Sequence, residues 1–467
     1  MKAIDKWNYK PFANPTDKKR EQSPFVCRIV PGEGKFGFEW FDNGFAGEHI
    51  VSYRKYQSLK PETTLPLLDK YIEINGLEDE QNYEFIVKRV GDEGESAVRL
   101  VRTGYVPGTV INYVHPEDKI YQFSGCYLSS PGLIKLPSGD LMASMDLFQY
   151  GGNMTLLFKS KDKGVTWEYV NDLFPAFWGK LFLNKGSLYF LCVDDTYGSL
   201  IIGRSDDEGE TWTPPVRLIS SCARLSAGGV HKSAVPVVNH DGRIWSAVEY
   251  GIKKGELMHR QAALVSADEN SDLLDPASWR CTEFLPYDRN WEGSPECFHL
   301  DFIEGNAVVS PDGCICNFMR LEAFYPSKPV YNKAIILKSE KNDPDAPLKF
   351  DRIVDAAVGI RHKFLIQKEP KTGKYVILGN ENGEDKPQRT VLSMSVSDDF
   401  YNWKVVKRIL DFRDADPGFV GFQYPDFIFE GDDILFLSRT AFNQANSFHN
   451  NNYVTFHTID NYMQYLG

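Results

Sequence analysis

The stretch Ser160-Lys-Asp162-Lys-Gly164-Val-Thr166-Trp167 recurs 45 residues later as Ser205-Asp-Asp207-Glu-Gly209-Glu-Thr211-Trp212. Each copy follows an apolar run, Met154 to Phe158 in one case and Leu200 to Ile202 in the other. An Asp and a Gly this close predict a tight turn, in which the carboxylate accepts from nearby backbone N–H groups and the Gly tolerates positive φ. The Trp then covers the turn as the next strand begins. Four fixed residues at fixed offsets rarely recur by chance, and the interval imposes a repeat architecture on the chain.

Six such units follow residue 120. In each, an apolar strand leads into a Gly or Asp turn, a second apolar strand, and a third ending in Ser or Thr with an aromatic soon after. The turns are Pro137 to Asp140, Asn184 to Gly186, Asn239 to Gly242, Ser310 to Gly313, Lys371 to Gly373 and Glu430 to Asp433. Short strands with these turns at this period predict six four-stranded blades. The last unit is one strand short, so a strand from before the first unit, such as Lys119 to Phe123, is expected to complete it.

The first hundred residues have another rhythm. Phe25 to Val30, Phe36 to Trp40, His49 to Arg54, Tyr71 to Ile74, Tyr83 to Val90 and Ala97 to Arg102 alternate in period two, as half-buried strands do. Residues 24–105 resemble a fibronectin type III module on the segment Ile74-Asn-Gly-Leu77, Tyr83-Glu-Phe85 and Gly94-Glu-Ser96. The resemblance implies a small β-sandwich that acts as a spacer or packs against the propeller. The expected organisation is a flexible segment over 1–23, the sandwich, a linker over 106–118 and a propeller over 119–467.

The net charge of −12 argues against nucleic acid or an anionic membrane as partner. No apolar run approaches a membrane span, and the N-terminus, Met-Lys-Ala-Ile-Asp-Lys-Trp, has no apolar leader. The chain as it stands is expected to be cytoplasmic, and secreted only if a signal has been removed. The eight Cys are scattered without a CxxC pair, which predicts free thiols and no Cys-based metal site. No other pattern demands a metal or a cofactor.

In a propeller the innermost strand of each blade runs along the central channel, so the strand starts converge at one mouth. The antiparallel second strands return there. Reading those positions gives Ser129, Ser130, Trp178, Lys180, His231, Lys232, Glu304, Asn306, His362, Lys363, Tyr424 and Asp426 from first strands. Second strands add Asp146, Asp194, Asp195, Glu249, Tyr250, Arg320, Glu322, Asn380 and Arg439. Any propeller mouth is wet, so a single polar residue there says little. Lys, His, Glu, Arg and Tyr converging on one pocket suit acid–base chemistry on an acidic sugar. His449, His457, His259 and His299 share no ligand spacing and are expected at the surface or in packing.

The two S-x-D-x-G-x-T-W segments resemble the Asp-boxes of the sialidase-type propellers, and the likeness spans about residues 119–467. It implies an exo-acting glycoside hydrolase on an oligo- or polysaccharide. Glu304 through Arg320 matches the family's Glu-to-Arg spacing, Arg389 resembles a further carboxylate-binding arginine, and Tyr424-Pro-Asp426-Phe resembles the nucleophile segment. The implied roles are Glu304 as base to the Tyr424 nucleophile, with the arginines on the substrate carboxylate. Two parts of the pattern are missing. Tyr127-Leu-Ser-Ser-Pro131 stands where the family opens its first blade with an arginine, and Asp146 is only the nearest candidate for the acid/base. Simple α-sialosides are therefore expected to be poor substrates.

Two alternatives stay open. Gly228-Gly-Val-His231-Lys232 paired with Glu249-Tyr250 is foreign to sialidases, and His362-Lys363 repeats the His-Lys dipeptide. Sialidase-like propellers also serve polysaccharide lyases that cleave beside uronates, where His231, Tyr250 and Arg320 would act as base, acid and neutraliser. A non-catalytic lectin is the third reading, one with no need of the Glu304–Tyr424 pair.

Overall fold

The computed structural model describes residues 7–9, 23–42, 44–60, 62–119, 125–148, 154–221, 225–326, 330, 332–359, 361–381 and 389–467. Apart from two short 3-10 turns, every regular element there is a β-strand. Six antiparallel sheets succeed one another along the chain. Their innermost strands are Tyr127–Lys135, Phe177–Asn184, Gly229–His231 continued by Val237–His240, Cys297–Val309, Leu365–Lys368 and Gly421–Glu430.

The gap between each pair of neighbouring sheets has its own apolar core. Leu181, Phe190 and Trp212 meet Met142 and Leu157 between the first and second sheets. Leu435, Leu437 and Phe456 of the sixth sheet meet Leu133, Ala143 and Trp167 of the first. That last core closes the ring, and the fold is an all-β propeller. The closing strand is Thr109–Tyr113, paired with Tyr453–Ile459. This corrects two expectations: the 106–118 stretch is no simple linker, and closure does not use Lys119 to Phe123, of which residues 120–123 lie outside the described residues. Both segments alternate, and local pattern cannot say which one finds a partner over three hundred residues away.

The two repeated turns fold alike. Ser160 Oγ accepts from Gly164 N at 2.8 Å, Asp162 Oδ1 accepts from Thr166 N at 2.8 Å, and Trp167 Nε1 donates to Gly164 O at 3.2 Å. In the second copy the same three bonds measure 2.8, 2.8 and 3.0 Å. Both glycines have φ of +92°, and a Cβ would lie 2.2 Å from Phe456 in one and 2.4 Å from Met142 in the other. Each turn is thus pressed against the preceding sheet, which is why Gly is required.

Before the propeller, Phe25–Gly32, Lys35–Phe41 and Tyr71–Asn75 form one sheet, and Thr63–Leu67, His49–Lys55, Asn82–Arg89 and Arg99–Arg102 a second. They sandwich Ile29, Phe36, Phe38, Val51, Phe85 and Val87, and the same core takes in Val110, Tyr113 and Tyr453 of the propeller. Arg28 Nε also donates to Ile111 O at 2.7 Å. The sandwich therefore packs directly on the closing strand.

Residues 1–23 were expected to be loosely held, yet Trp7 is fully buried, against Phe190 and Trp212 at 5.9 and 5.8 Å, and Asn8–Tyr9 adds an outer strand to the first sheet. A Cβ on Gly203 would stand 2.4 Å from the Trp7 ring, so the indole occupies a seat made by the missing side chain. Trp7→Ala is expected to cost roughly 3–5 kcal/mol, read as a fall in the urea midpoint at unchanged slope. Among the described residues, Cys27, Cys192, Cys281, Cys297, Cys314 and Cys316 are free thiols.

Candidate active site

Four of the innermost strands carry a β-bulge, between Ser129 and Gly132, Phe177 and Lys180, Ile303 and Asn306, and Gln423 and Asp426. Inside each bulge one residue is left-handed: Ser130 at φ +43°, Trp178 at +51°, Glu304 at +58° and Tyr424 at +53°. A non-glycine residue there costs about 1–3 kcal/mol and persists only where the surroundings impose it. Each is followed by Pro or Gly: Pro131, Gly179, Gly305 and Pro425. A Cβ on Gly179 would sit 2.2 Å from Phe190, and one on Gly305 1.9 Å from Asn317.

These four residues line one cavity of about 210 Å³ at the channel mouth, together with Tyr127, Ser129, Phe148, Tyr197, His231, Arg260, Arg439 and His449. Glu304 Oε2 accepts from Arg320 Nη1 at 2.5 Å, and the same nitrogen lies 3.4 Å from the Tyr424 hydroxyl. Burial alone would raise the Glu304 carboxyl, but Arg320, His231 and Lys363 hold it below its ordinary range. Arg320 Nη2 pairs with Glu322 at 2.5 Å. Arg389 and Arg439 stand over the Tyr424 ring at 5.7 and 4.7 Å, and Lys363 Nζ at 5.8 Å. Arg439 supplies a third guanidinium beside Tyr424, with Arg320 and Arg389.

Each guanidinium is already engaged on two sides. Arg439 donates to Asn451 Oδ1 at 2.8 Å and to the His449 carbonyl. Arg389 donates to Gln423 Oε1 and, at 3.4 Å, to Arg361 O. Burial, with Arg320 and Arg439 nearby, lowers Arg389 to about 10.

His231 Nδ1 meets Glu249 Oε2 at 2.7 Å, and the other carboxylate oxygen accepts from Gly305 N at 2.9 Å. One buried carboxylate thus orients the imidazole and pins the bulge that presents Glu304. The His231 ring lies 4.5 Å from Trp178 and 5.6 Å from Tyr197.

Several expected site residues lie elsewhere. Asp146 is 1% exposed and outside the cavity lining; it accepts from Trp178 N at 3.0 Å and Thr155 Oγ1 at 2.7 Å. Burial pushes it up to about 7, against those bonds. It holds the Trp178 backbone from outside the cavity lining. Tyr250 packs on Phe284 at 5.6 Å, because consecutive residues of a strand face opposite ways and Glu249 takes the inward one. Lys180, Lys232, Lys363 and Asp426 sit further along the channel than the mouth residues. His362 is buried beside Arg389 and Arg320, and burial first, then those cations, keep it neutral. Among the described residues no three His, Cys, Asp or Glu side chains gather as metal ligands.

His449, expected at the surface or in packing, lines the cavity. Arg260 and Tyr197 were missed altogether. Arg260 Nη1 pairs with Asp301 at 2.7 Å and Nε donates to the Tyr197 hydroxyl at 3.0 Å. Its strand, Leu257–Asp268, pairs along all twelve residues of Arg243–Lys254. That long hairpin extends past the blade, and its length was the available signal.

No family model matches the sequence, and no curated protein matches it. Among solved structures, the chain is similar to the Penicillium chrysogenum α-L-arabinanase complexed with arabinobiose, with 14% identity over 76% of this chain and 98% of that one and a TM-score of 0.51. A Hadza microbial sialidase matches at 13% identity over 94% of each chain, with a TM-score of 0.47. An ulvan lyase from a new polysaccharide lyase family matches at 10% identity over 98% of this chain and 96% of that one, with a TM-score of 0.48. At such identities the likeness speaks to the propeller fold alone.

Proposed function

We propose that this protein is a carbohydrate-active enzyme that cleaves a terminal glycosidic bond of a carboxylate-bearing glycan. The observation that carries the reading is the gathering of Arg320, Arg389, Arg439 and Lys363 around Tyr424 at the floor of a sugar-sized cavity. Negative charge arriving there is stabilised by four cations in a site shielded from water. In hydrolysis, the Tyr424 oxygen bonds the anomeric carbon as the glycosidic C–O bond breaks, and Glu304 takes the phenol proton. His231, held by Glu249, protonates the leaving oxygen. Water then releases the sugar from Tyr424.

The engaged guanidiniums supply a field more than an open fork, which supports the expectation of weak turnover on simple α-sialosides. The sandwich, with strands ordered one-two-five and four-three-six-seven, supports a fibronectin III-like spacer.

The His231–Glu249 pair favours one second reading, elimination beside a uronate. There His231 removes the C5 proton, the C4–C5 double bond forms as the C4–O bond breaks, Tyr424 protonates the leaving oxygen, and the carboxylate charge is borne by the arginines. Incubating the protein with uronate-containing and other acidic oligosaccharides separates the two. Hydrolysis is expected to release a reducing sugar without ultraviolet absorbance. A rise in absorbance from an unsaturated uronate would replace it with the lyase, and no cleavage of any acidic glycan would leave a lectin.

A further inference from the structure

Beyond the mouth, the innermost strands and the residues that flank them contribute a second layer to the channel: Gly132, Lys180, Lys232, Asn306, Lys363 and Asp426. The layer is knit across sheets. Asp426 Oδ2 accepts from Leu133 N at 2.5 Å and pairs with Lys180, Asn306 Oδ1 accepts from Ile366 N at 3.3 Å, and Lys363 Nζ donates to Pro425 O at 3.3 Å. It holds three ammonium groups and one carboxylate, and that carboxylate is taken by Lys180.

Lys232 is 0% and Lys363 1% exposed. Each has one hydrogen bond to protein among the described residues, Lys232 to Ser233 O at 2.9 Å and Lys363 to Pro425 O. An ammonium has three N–H donors, so two on each lysine find no protein acceptor. The nearest other carboxylates are committed, Glu249 to His231 and Gly305, and Glu304 to Arg320. Buried cations in that condition demand a counter-charge or lose their protons.

We propose that this layer of the channel binds one small inorganic anion of the halide class, held between Lys232 and Lys363 with Lys180 at its edge. The burial of the layer excludes sugar acids and other organic anions. On the Lys180 side of the layer lies a cavity of about 230 Å³, lined by Leu133, Lys180, Pro236, Gln367 and Phe427, which shares no residue with the cavity of the proposed sugar site. The like charges reinforce the argument: burial, then Lys180 and Lys363, lower Lys232 to about 7, against Glu249, and burial also lowers Lys363 to about 8. An anion between them restores both protons. Lys363 also stands 5.8 Å from the Tyr424 ring, so this site borders the proposed sugar site, but it does not depend on which glycan is cleaved.

Bromide is the probe. Thermal unfolding of the whole protein in sodium gluconate, with bromide replacing gluconate at constant ionic strength, is expected to show a Tm that rises and saturates. Lys232→Met, which keeps the stem and removes the charge, is expected to abolish the bromide-dependent rise. Crystals grown in sodium bromide are expected to show one anomalous peak within hydrogen-bonding reach of Lys232 and Lys363 Nζ. A wild-type Tm that does not saturate, an unchanged bromide response in Lys232→Met, or a channel without anomalous signal would each overturn the site. If Lys232→Met does not fold, Lys363→Met and the anomalous map decide.

Discussion

Tyr424→Phe is expected to lower turnover of whatever acidic glycan the protein cleaves by on the order of a thousandfold or more, with almost no change in stability. The substitution removes one oxygen. Among the described residues that oxygen has one long hydrogen bond, 3.4 Å from Arg320 Nη1, so its structural contribution is small. The ring stays, and with it the faces on which Arg389, Arg439 and Lys363 rest. The loss should fall on kcat, because the oxygen forms its bond to sugar only during the reaction. A fluorinated, activated glycoside of the same sugar should label Tyr424 covalently, and peptide mass spectrometry reads that directly. Near-normal turnover by Tyr424→Phe would remove the nucleophile from the proposal. Elimination products from the wild type would transfer the main role to His231.

Arg320→Met is expected to be the most destabilising single change at the site, by about 3–5 kcal/mol. Glu304, Arg320 and Glu322 are 5%, 8% and 6% exposed. Removing the cation leaves two buried carboxylates facing each other. The pH dependence has a definite sign. Glu304 is held below its ordinary value of 4.5 in the folded protein, so its contribution is present above that pH and is lost as pH falls through the folded value. The gap between wild type and variant should therefore be widest near neutrality and narrow below about 4.5, as protonation relieves the unpaired charge. Chemical unfolding at several pH values measures it. A variant equal to wild type at pH 7 would mean that Arg320 is not the counter-ion of this cluster. Glu304→Gln is the milder change, because Arg320 keeps Glu322.

Much of this molecule can be read from local pattern. The two S-x-D-x-G-x-T-W turns have the bonds that their Asp, Gly and Trp predict, because all the partners lie within a few residues. The strands of the N-terminal half also follow from period-two alternation, and those of the propeller from apolar runs between Gly and Asp turns. That Glu304, His231, Tyr424 and Arg439 come to one mouth follows from strand direction; all four line its cavity. What local pattern misses are pairings and facings set at long range. Thr109–Tyr113 is as strand-like as its neighbours, and only its fit beside Tyr453–Ile459 makes it the closing strand.

The amino-acid sequence alone determined that this chain repeats a short-stranded unit, that the repeat is all-β, and which ends of which strands face a common mouth. Those properties rest on turns and alternation, which act between near neighbours. The tertiary structure decided which of the residues at that mouth look into the cavity. One extra residue in a strand reverses the facing of all that follow. The bulges at Ser130, Trp178, Glu304 and Tyr424 therefore bring those side chains to the cavity and send Lys180 and Asp426 down the channel. The Pro or Gly after each was the visible trace. Its consequence depends on Phe190, Asn317 and the other strands that press the backbone into the left-handed form.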